Sequence, residues 1–298
     1  MTTEVVDPPA TPIAVDARPP AARQRGFIRR ALKLGRTRVG IAAVLAVVLF
    51  AIVGPYFAPF STTEFVGIPF SGPGGEALFG TDRIGRDVWT RFLSGGRDLL
   101  VVSAFATLLG VAVGTIIGLV AGYTKKVVDE TLMRFVDLMM AFPGLAFSLL
   151  VITVAGAQTW VLVVAVGVGL FPHTARVVRS ATVGVAESDY VRYSEATGTP
   201  TRRILFSEIL PNILVPLSVE TGQRYTLSLG SVAGLNYLGL GVKPPAADWG
   251  LMIQENQAGL LTTPMAVLLP VIAIIVVTVG ANLVSDGLAV AAAGADGR

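Results

Sequence analysis

The sequence predicts an all-α membrane protein, a polytopic bundle of six transmembrane helices. The 298 residues are 53% hydrophobic and 14% charged, with a mean hydropathy of +0.69, whereas soluble domains carry about 25% charged residues. The charges are gathered into blocks between long uncharged stretches, and a helix needs about 20 apolar residues to cross the hydrocarbon core. Because backbone amides must be paired within lipid, these long continuous runs indicate helices rather than alternating barrel strands.

The six predicted spans follow from the uncharged runs. The first has its apolar core at residues 39–57, and the second covers 99–124. An uncharged run over 138–175 is too long for one span and is interpreted as two helices joined near residues 156–159. The fifth span begins near Ile209 and ends before Lys243, and the sixth lies within 259–285.

Lys and Arg are distributed unequally between the two sides of these spans. One side, which includes both termini and the second-to-third and fourth-to-fifth connections, carries 17 of them. The other side carries five, namely Arg83, Arg86, Arg91, Arg97 and Lys243. Loops rich in Lys and Arg stay in the cytoplasm, so the sequence predicts cytoplasmic N- and C-termini. The net charge of +3 gives no indication of nucleic-acid binding, since the basic excess lies beside the spans.

The predicted organisation has five parts. A tail over residues 1–30, rich in Pro, Ala and Thr at its start, is expected to be disordered. It is followed by the first helix with its basic lead-in (31–60), an extracytoplasmic segment (61–98), a five-helix core (99–290) with a cytoplasmic loop at about 180–208, and a C-terminal tail (291–298). The first apolar run exceeds a signal-peptide core, so an uncleaved helix is expected.

Four glycines in the second span share one helix face, because they recur at a spacing of four: Gly110, Gly114, Gly118 and Gly122. Small residues at this spacing let a neighbouring helix approach closely. Tight packing is the simpler interpretation, and a moving face in a pore is the alternative.

The fifth span contains a potential ion pair. Glu220 and Arg224 stand at positions i and i+4, which allows pairing on one helix face. Charges inside a membrane are costly and usually face a cavity or the bundle interior. The pair is therefore a candidate for lining a substrate path, and a structural lock or a position near an interface remain as alternatives.

No catalytic motif is present. The chain has no Cys and a single His, His173, which excludes thiolate sites and multi-His metal sites. The segment from Gly80 to Gly85 has the spacing of a nucleotide-binding loop, but Arg86 and Asp87 stand where that loop needs Lys and Ser or Thr. The sequence therefore predicts a chain that is not an enzyme and carries no metal or cofactor.

The connection from Arg176 to Glu208 is longer than a tether requires. Ser188 and Asp189 are placed to cap a short helix that ends near Gly198, and Pro211 is placed to begin the next helix. A short helix across a cytoplasmic face is suited to docking a partner, whereas the alternative is a solvated loop.

Several motifs in a fixed order resemble one protein family. They are residues 79–82 with 85–88, residues 128–130 with Met133, Arg134 and Asp137, residues 141–143, Pro172 with Ala175, Arg176 and Arg179, residues 189–191 with Gly198 and 209–212, and residues 237–241 with Pro244, Pro245, Trp249 and Gly250. From about Arg30 to Gly287 the chain resembles permease subunits of bacterial ABC importers for dipeptides, oligopeptides and nickel. Within these it is similar to the second, C-type permease.

The resemblance implies a multi-pass protein of the bacterial inner membrane with several partners. These are a homologous second permease forming a heterodimer, two ATP-binding subunits or one fused double ATPase that hold ATP and magnesium, and an extracytoplasmic peptide-binding protein. The implied ATPase-coupling residues are Asp189, Tyr190, Arg192, Tyr193, Ser194, Gly198 and Pro211. Glu220 and Arg224 are the candidates for the translocation path.

Three departures from the family pattern stand out. The family loop usually has Glu-Ala-Ala before its Gly, but Arg192, Tyr193 and Ser194 occupy those positions here. An acid often found in the fifth span is replaced by Val232. Glu220 and Arg224 are not typical of the family, which predicts a substrate preference that differs from the usual dipeptide systems. Two other classes of protein remain as alternatives. A secondary transporter or channel would be favoured by an inverted repeat between the two halves of the chain. A membrane enzyme would need clustered acid, base or metal ligands.

Overall fold

The computed structural model describes residues 20–124 and 126–296, which form helices joined by short connections and one long segment. In chain order the helices are α1 (Pro20–Ala31), α2 (Gly35–Val53) with a 3-10 turn (Gly54–Phe57), α3 (Val88–Ser94), α4 (Gly96–Tyr123), α5 (Lys126–Met140), α6 (Gly144–Ala155), α7 (Thr159–Ala186), α8 (Asp189–Ala196), α9 (Thr201–Arg203) with a π-helical turn (Ile204–Ile209), α10 (Leu210–Asn212), α11 (Leu214–Tyr237), α12 (Trp249–Asn256) with a 3-10 turn (Gln257–Gly259), and α13 (Met265–Asp296).

Within the described residues, four segments are long and apolar enough to cross a membrane: α2 with its 3-10 turn, α3 together with α4, α7, and α13. Two further pairs meet the criterion jointly but are bent. The bend is 83° between α5 and α6, and 73° between Thr201–Asn212 and α11. Counting each bent pair as one crossing gives six spans, and the predicted all-α membrane bundle is confirmed. The predicted division near residues 156–159 is also confirmed, since α6 ends at Ala155 and α7 begins at Thr159.

One helix continues well past its apolar run. The sequence predicts the end of the fourth span at residue 175, but α7 continues to Ala186. Arg176 and Arg179 do not end the helix, because their guanidinium groups pair with the carboxylates of Asp137 and Asp129 on α5. The connection to the fifth span is therefore shorter than predicted.

Helical structure also extends into both predicted tails. A disordered tail up to residue 30 is wrong for residues 20–30, because α1 is helical and buries Phe27 and Ala31 against Ala291 of α13. The predicted tail over residues 1–19 lies outside the described residues. At the other end α13 continues to Asp296, so most of the predicted C-terminal tail belongs to the last helix.

The four glycines of α4 place its backbone directly against α7. A Cβ added at Gly114 would lie 2.7 Å from the carbonyl oxygen of Phe171, and one at Gly118 would lie 2.6 Å from that of Ala175. No side chain fits at such distances, since carbon and oxygen atoms pack at about 3.5 Å. The predicted close packing is confirmed, and α4 and α7 form the central pair of the bundle.

The bend between α5 and α6 has a local cause. Pro143 has φ −59° and ψ 124° and immediately precedes α6. A residue that precedes proline avoids the helical region, so the helix stops at Met140 and restarts at Gly144 in a new direction. The break lies beside α7 and α11 and contributes to the cavity described below.

Candidate functional site

The predicted docking helix forms α8. Ser188 stands at the N-cap position as predicted, but the predicted side-chain cap is wrong, because its hydroxyl donates to the carbonyl of Val185. Val191 is completely buried in an apolar cluster with Val178 and Ile209. Tyr190 and Tyr193, on the outer side of the helix, are 46% and 71% exposed, and Arg192 is also exposed. The helix is thus anchored along one side and presents two aromatic rings and a cation on the other.

The end of α8 is closed by a glycine turn. Gly198 has φ +77°, a left-handed conformation that glycine adopts without steric cost. Its amide donates to the carbonyl of Glu195, and the next amide, of Thr199, donates to the carbonyl of Ser194. The Ser194 hydroxyl donates to Glu208 Oε1 at 2.9 Å, which ties α8 to the π-helical turn. The predicted helix end near Gly198 is confirmed.

The predicted start of the next helix at Pro211 needs correction. Pro211 lies in the short helix α10, which continues from the π-helical turn, and the fifth span proper begins at Leu214 after the 73° bend. The reason is the wider helical turn over Ile204–Ile209, which keeps the chain helical before the proline. Pro211 therefore belongs to the segment linking α8 to α11.

Glu220 and Arg224 meet near the middle of α11, as the spacing predicts. Arg224 Nε lies 2.8 Å from Glu220 Oε1, and the hydroxyl of Thr174 on α7 donates to the same oxygen at 3.3 Å. Glu220 is 4% exposed and Arg224 is 9% exposed. The pair is therefore buried between two spans, where lipid and water are largely excluded.

A cavity of about 250 Å³ adjoins this pair. It lies between the α5–α6 bend, α7 and α11, and both Arg224 and His173 line it. The remaining walls are largely apolar and include Met139, Met140, Phe142, Phe147 and Leu227. Glu220 is not among the lining residues, so the cavity wall presents the cation of the pair.

A buried ionic cluster lies at the opposite end of the bundle from α8. Glu255 of α12 accepts from Arg86 Nη2 at 3.1 Å and from Arg91 Nη2 at 2.8 Å. Asp82 accepts from Arg86 Nε at 2.7 Å, and Arg91 is 0% exposed. The segment that resembled a nucleotide loop thus holds the long connection after α2 against α12. Sequence reasoning missed this cluster, although the five charges within residues 82–91 were a visible signal.

Asp248, at the start of α12, is another buried acid in this region. Burial raises the pKa of Asp248 to about 6, although Leu251 N–H and Asn236 Nδ2 donate to its Oδ1 at 3.1 and 2.9 Å. A carboxyl whose pKa is higher in the folded state binds protons more tightly when folded. Its contribution to stability is therefore present below about pH 4 and declines as the pH rises to about 6.

We expect Asp248→Asn to remove this decline. The asparagine oxygen retains both acceptor contacts but cannot ionise. The free energy of unfolding of the variant should therefore rise relative to that of the wild type as the pH rises from 4 to 6, by up to ~3 kcal/mol. The measurement is the Tm of the purified transporter at pH 4, 5, 6 and 7 for both proteins. Parallel pH curves for the two proteins would contradict the prediction.

No group of three His, Cys, Asp or Glu side chains within residues 20–124 and 126–296 is arranged to hold a metal ion. The charged groups described above instead form pairs and clusters between helices. The site therefore consists of a surface helix, a charged cavity within the bundle and a rigid ionic cluster at the far end.

Comparison with known proteins adds sequence evidence to this geometry. The family model for "Binding-protein-dependent transport system inner membrane component" matches residues 114–293. The dipeptide transport system permease protein DppC of Alkalihalophilus pseudofirmus is 32% identical over 251 residues, covering 84% of this chain and 83% of that protein. The glutathione transport system permease protein GsiD of Pectobacterium atrosepticum is 33% identical over 269 residues, with coverages of 89% and 88%.

A solved structure of an amino acid ABC transporter with histidines shares the fold. It has a TM-score of 0.50 at 17% identity and covers 67% of this chain and 92% of its own. The helical bundle and the sequence relatives define a class, the membrane permease subunits of ABC importers. The chain belongs to the family of binding-protein-dependent transport system inner membrane components. It is a non-catalytic subunit that works with an ATPase and a binding protein.

Proposed function

We propose that this chain is the C-type permease of an importer for dipeptides and other short peptides, paired with a homologous second permease in a heterodimer. The observation that carries the proposal is the similarity to two permeases over more than four fifths of both chains, one named for dipeptide and one for glutathione transport. Both names refer to short peptides. An extracytoplasmic binding protein would deliver the peptide to the paired permeases.

We further propose that α8 and the turn after it form the ATPase-coupling surface. The surface comprises Asp189, Tyr190, Arg192, Tyr193, Ser194 and Gly198, with Pro211 in the segment that leads to α11. The support for this proposal is the packing of α8 on the bundle through Val191 and Ser194. Because of these contacts, a displacement of the exposed tyrosines would be transmitted to α7 and α11. ATP and magnesium would bind the partner subunits, either two ATPases or one fused double ATPase.

The proposed orientation places α8 and both termini in the cytoplasm. Its support is the distribution of Lys and Arg, with 17 on the α8 side and five on the α12 side. The cluster around Glu255 would then face the extracytoplasmic binding protein. Glu220 and Arg224 would line the translocation path, because a buried charge at the middle of a span is costly unless it serves a pathway or a partner.

The proposal is tested by peptide uptake into proteoliposomes that contain the complete transporter. We expect accumulation of dipeptides only when ATP, the ATPases and the binding protein are all present. Glutathione is the second cargo to test, and free amino acids are the control. Uptake that persists without the ATPases would instead indicate a secondary transporter, and ATP-driven uptake of cargo other than peptides would refute the proposed substrate class.

A further inference from the structure

We propose that the cavity beside Arg224 binds the carboxylate of the transported peptide, held by the Arg224 guanidinium and the N-terminus of α6. This inference rests on the proposed function, because it names the chemical group of the peptide that the permease itself recognises. Three features of the cavity support this proposal: an arginine with unused hydrogen-bond donors, a helix N-terminus with free backbone amides, and apolar walls that can adapt to different side chains.

Arg224 has unused hydrogen-bonding capacity. Its guanidinium carries five N–H donors, and Nε faces Glu220 at 2.8 Å. Its two terminal nitrogens donate no hydrogen bond to any residue of the described chain, although the residue is only 9% exposed. Glu220 thus holds the guanidinium in position while the terminal nitrogens remain available. A carboxylate fits such a fork with two parallel hydrogen bonds.

The α5–α6 break supplies a second feature that favours an anion. Gly144, the first residue of the 12-residue helix α6, lines the same cavity. The first amide of α6 that donates to a backbone carbonyl is that of Phe147, which donates to Pro143. The amides of residues 144–146 therefore have no backbone acceptor among the described residues. Free amides and the helix dipole at an N-terminus attract negative charge. The N-terminus of α6, which carries a partial positive charge, therefore lies at the part of the cavity wall formed by Gly144.

The size and walls of the cavity indicate which part of a peptide fits. Its volume of about 250 Å³ is below the ~300–1,000 Å³ typical of whole-ligand pockets, so it suits a terminal residue. Met139 and Met140 are flexible and accommodate varied side chains. Linear peptides differ in their side chains but share a C-terminal carboxylate. One fixed cation with adaptable walls is thus suited to peptides of varied sequence.

The charge preference of the cavity can be measured without knowing the cargo. The chain has no Cys, so Leu227→Cys places the one thiol of this chain at a cavity residue that is 50% exposed. In the assembled transporter in nanodiscs, we compare its reaction rates with sulfonate-bearing and trimethylammonium-bearing methanethiosulfonates. Arg224→Gln is expected to lower the sulfonate-to-ammonium rate ratio about tenfold, the equivalent of ~1.4 kcal/mol.

Matched variants separate charge from disruption. Arg224→Lys retains the cation and should retain the ratio. The double variant Glu220→Gln with Arg224→Gln leaves no unpaired buried acid and should still show the loss. Leu261→Cys, at a residue 97% exposed in the loop before α13, should not respond to Arg224→Gln. An unchanged ratio at Leu227→Cys in both the single and the double variant overturns the proposal.

Protection of Leu227→Cys then distinguishes the sources of the anion. The peptide acid transported best in the uptake assay should slow the labelling, whereas its C-terminal amide and glycerol phosphate should not. Protection by glycerol phosphate alone assigns the cavity to a lipid headgroup and overturns the proposal, as does equal protection by the amide. If no peptide is transported, the proposed function fails, whereas the rate ratio still decides whether the cavity selects anions.

Discussion

Glu255→Ala is expected to destabilise the protein by about 3–5 kcal/mol, the cost of removing one partner from a buried ion pair. Glu255 accepts from Arg86 and Arg91, whose side chains are 3% and 0% exposed. Asp82 alone would then have to balance both guanidinium groups. Because these contacts also hold the long connection after α2 against α12, the loss should appear as a lower Tm of the purified transporter and a smaller yield of folded chain.

The matched control is Glu76→Ala, an exposed acid in the same long connection, which should change stability by less than about 0.5 kcal/mol. Glu255→Gln preserves the shape and removes only the charge, so it should share most of the loss. A Tm for both Glu255 variants equal to that of the control would show that the cluster does not stabilise the fold.

Gly198→Trp is expected to abolish co-purification of the ATPase with the permease. A Cβ added at Gly198 would have no atom within 4 Å apart from its chain neighbours, so we expect the indole to project from the end of α8 into the proposed ATPase interface. The control is Gly198→Ala, which carries the same left-handed backbone cost of ~1–2 kcal/mol without the bulk. The measurement is the ratio of ATPase to permease after affinity purification.

Correct insertion of the Gly198→Trp chain is checked separately. Leu261→Cys, in the loop at the other end of the bundle, should be labelled by an impermeant maleimide in the variant and in the wild type alike. An ATPase ratio for Gly198→Trp equal to that of Gly198→Ala would remove this turn from the coupling surface and would leave the family assignment intact.

Features that depend on neighbours along the chain were predictable from the sequence. The spans follow from gaps between charges, and the glycine stripe and the Glu220–Arg224 pair follow from a spacing of four on one helix. The end of α8 follows from Gly198, because few other residues adopt a left-handed turn at low cost. These features depend only on local helix geometry, and the spacing of residues along the sequence therefore predicts them.

Features that depend on distant partners were not predictable. Glu255 is far in sequence from Arg86 and Arg91, from which it accepts hydrogen bonds, and none of these residues shows by itself which distant residue is its partner. The continuation of α7 past Ala175 depends on Asp129 and Asp137 of α5, which neutralise the arginines that end the apolar run. The cavity beside Arg224 requires the α5–α6 bend, and proline indicates a break without giving its angle.

The backbone contact between α4 and α7 restricts how this subunit can change shape. Both helices have 28 residues and extend roughly 40 Å at 1.5 Å per residue. With no side chain between them at the glycines, relative sliding would drive carbonyl oxygens into Cα atoms, so we expect α4 and α7 to move together as one rigid body. We therefore expect any change between two conformations to alter the bends at Pro143 and Ile213, where two spans change direction, while α4 and α7 move together.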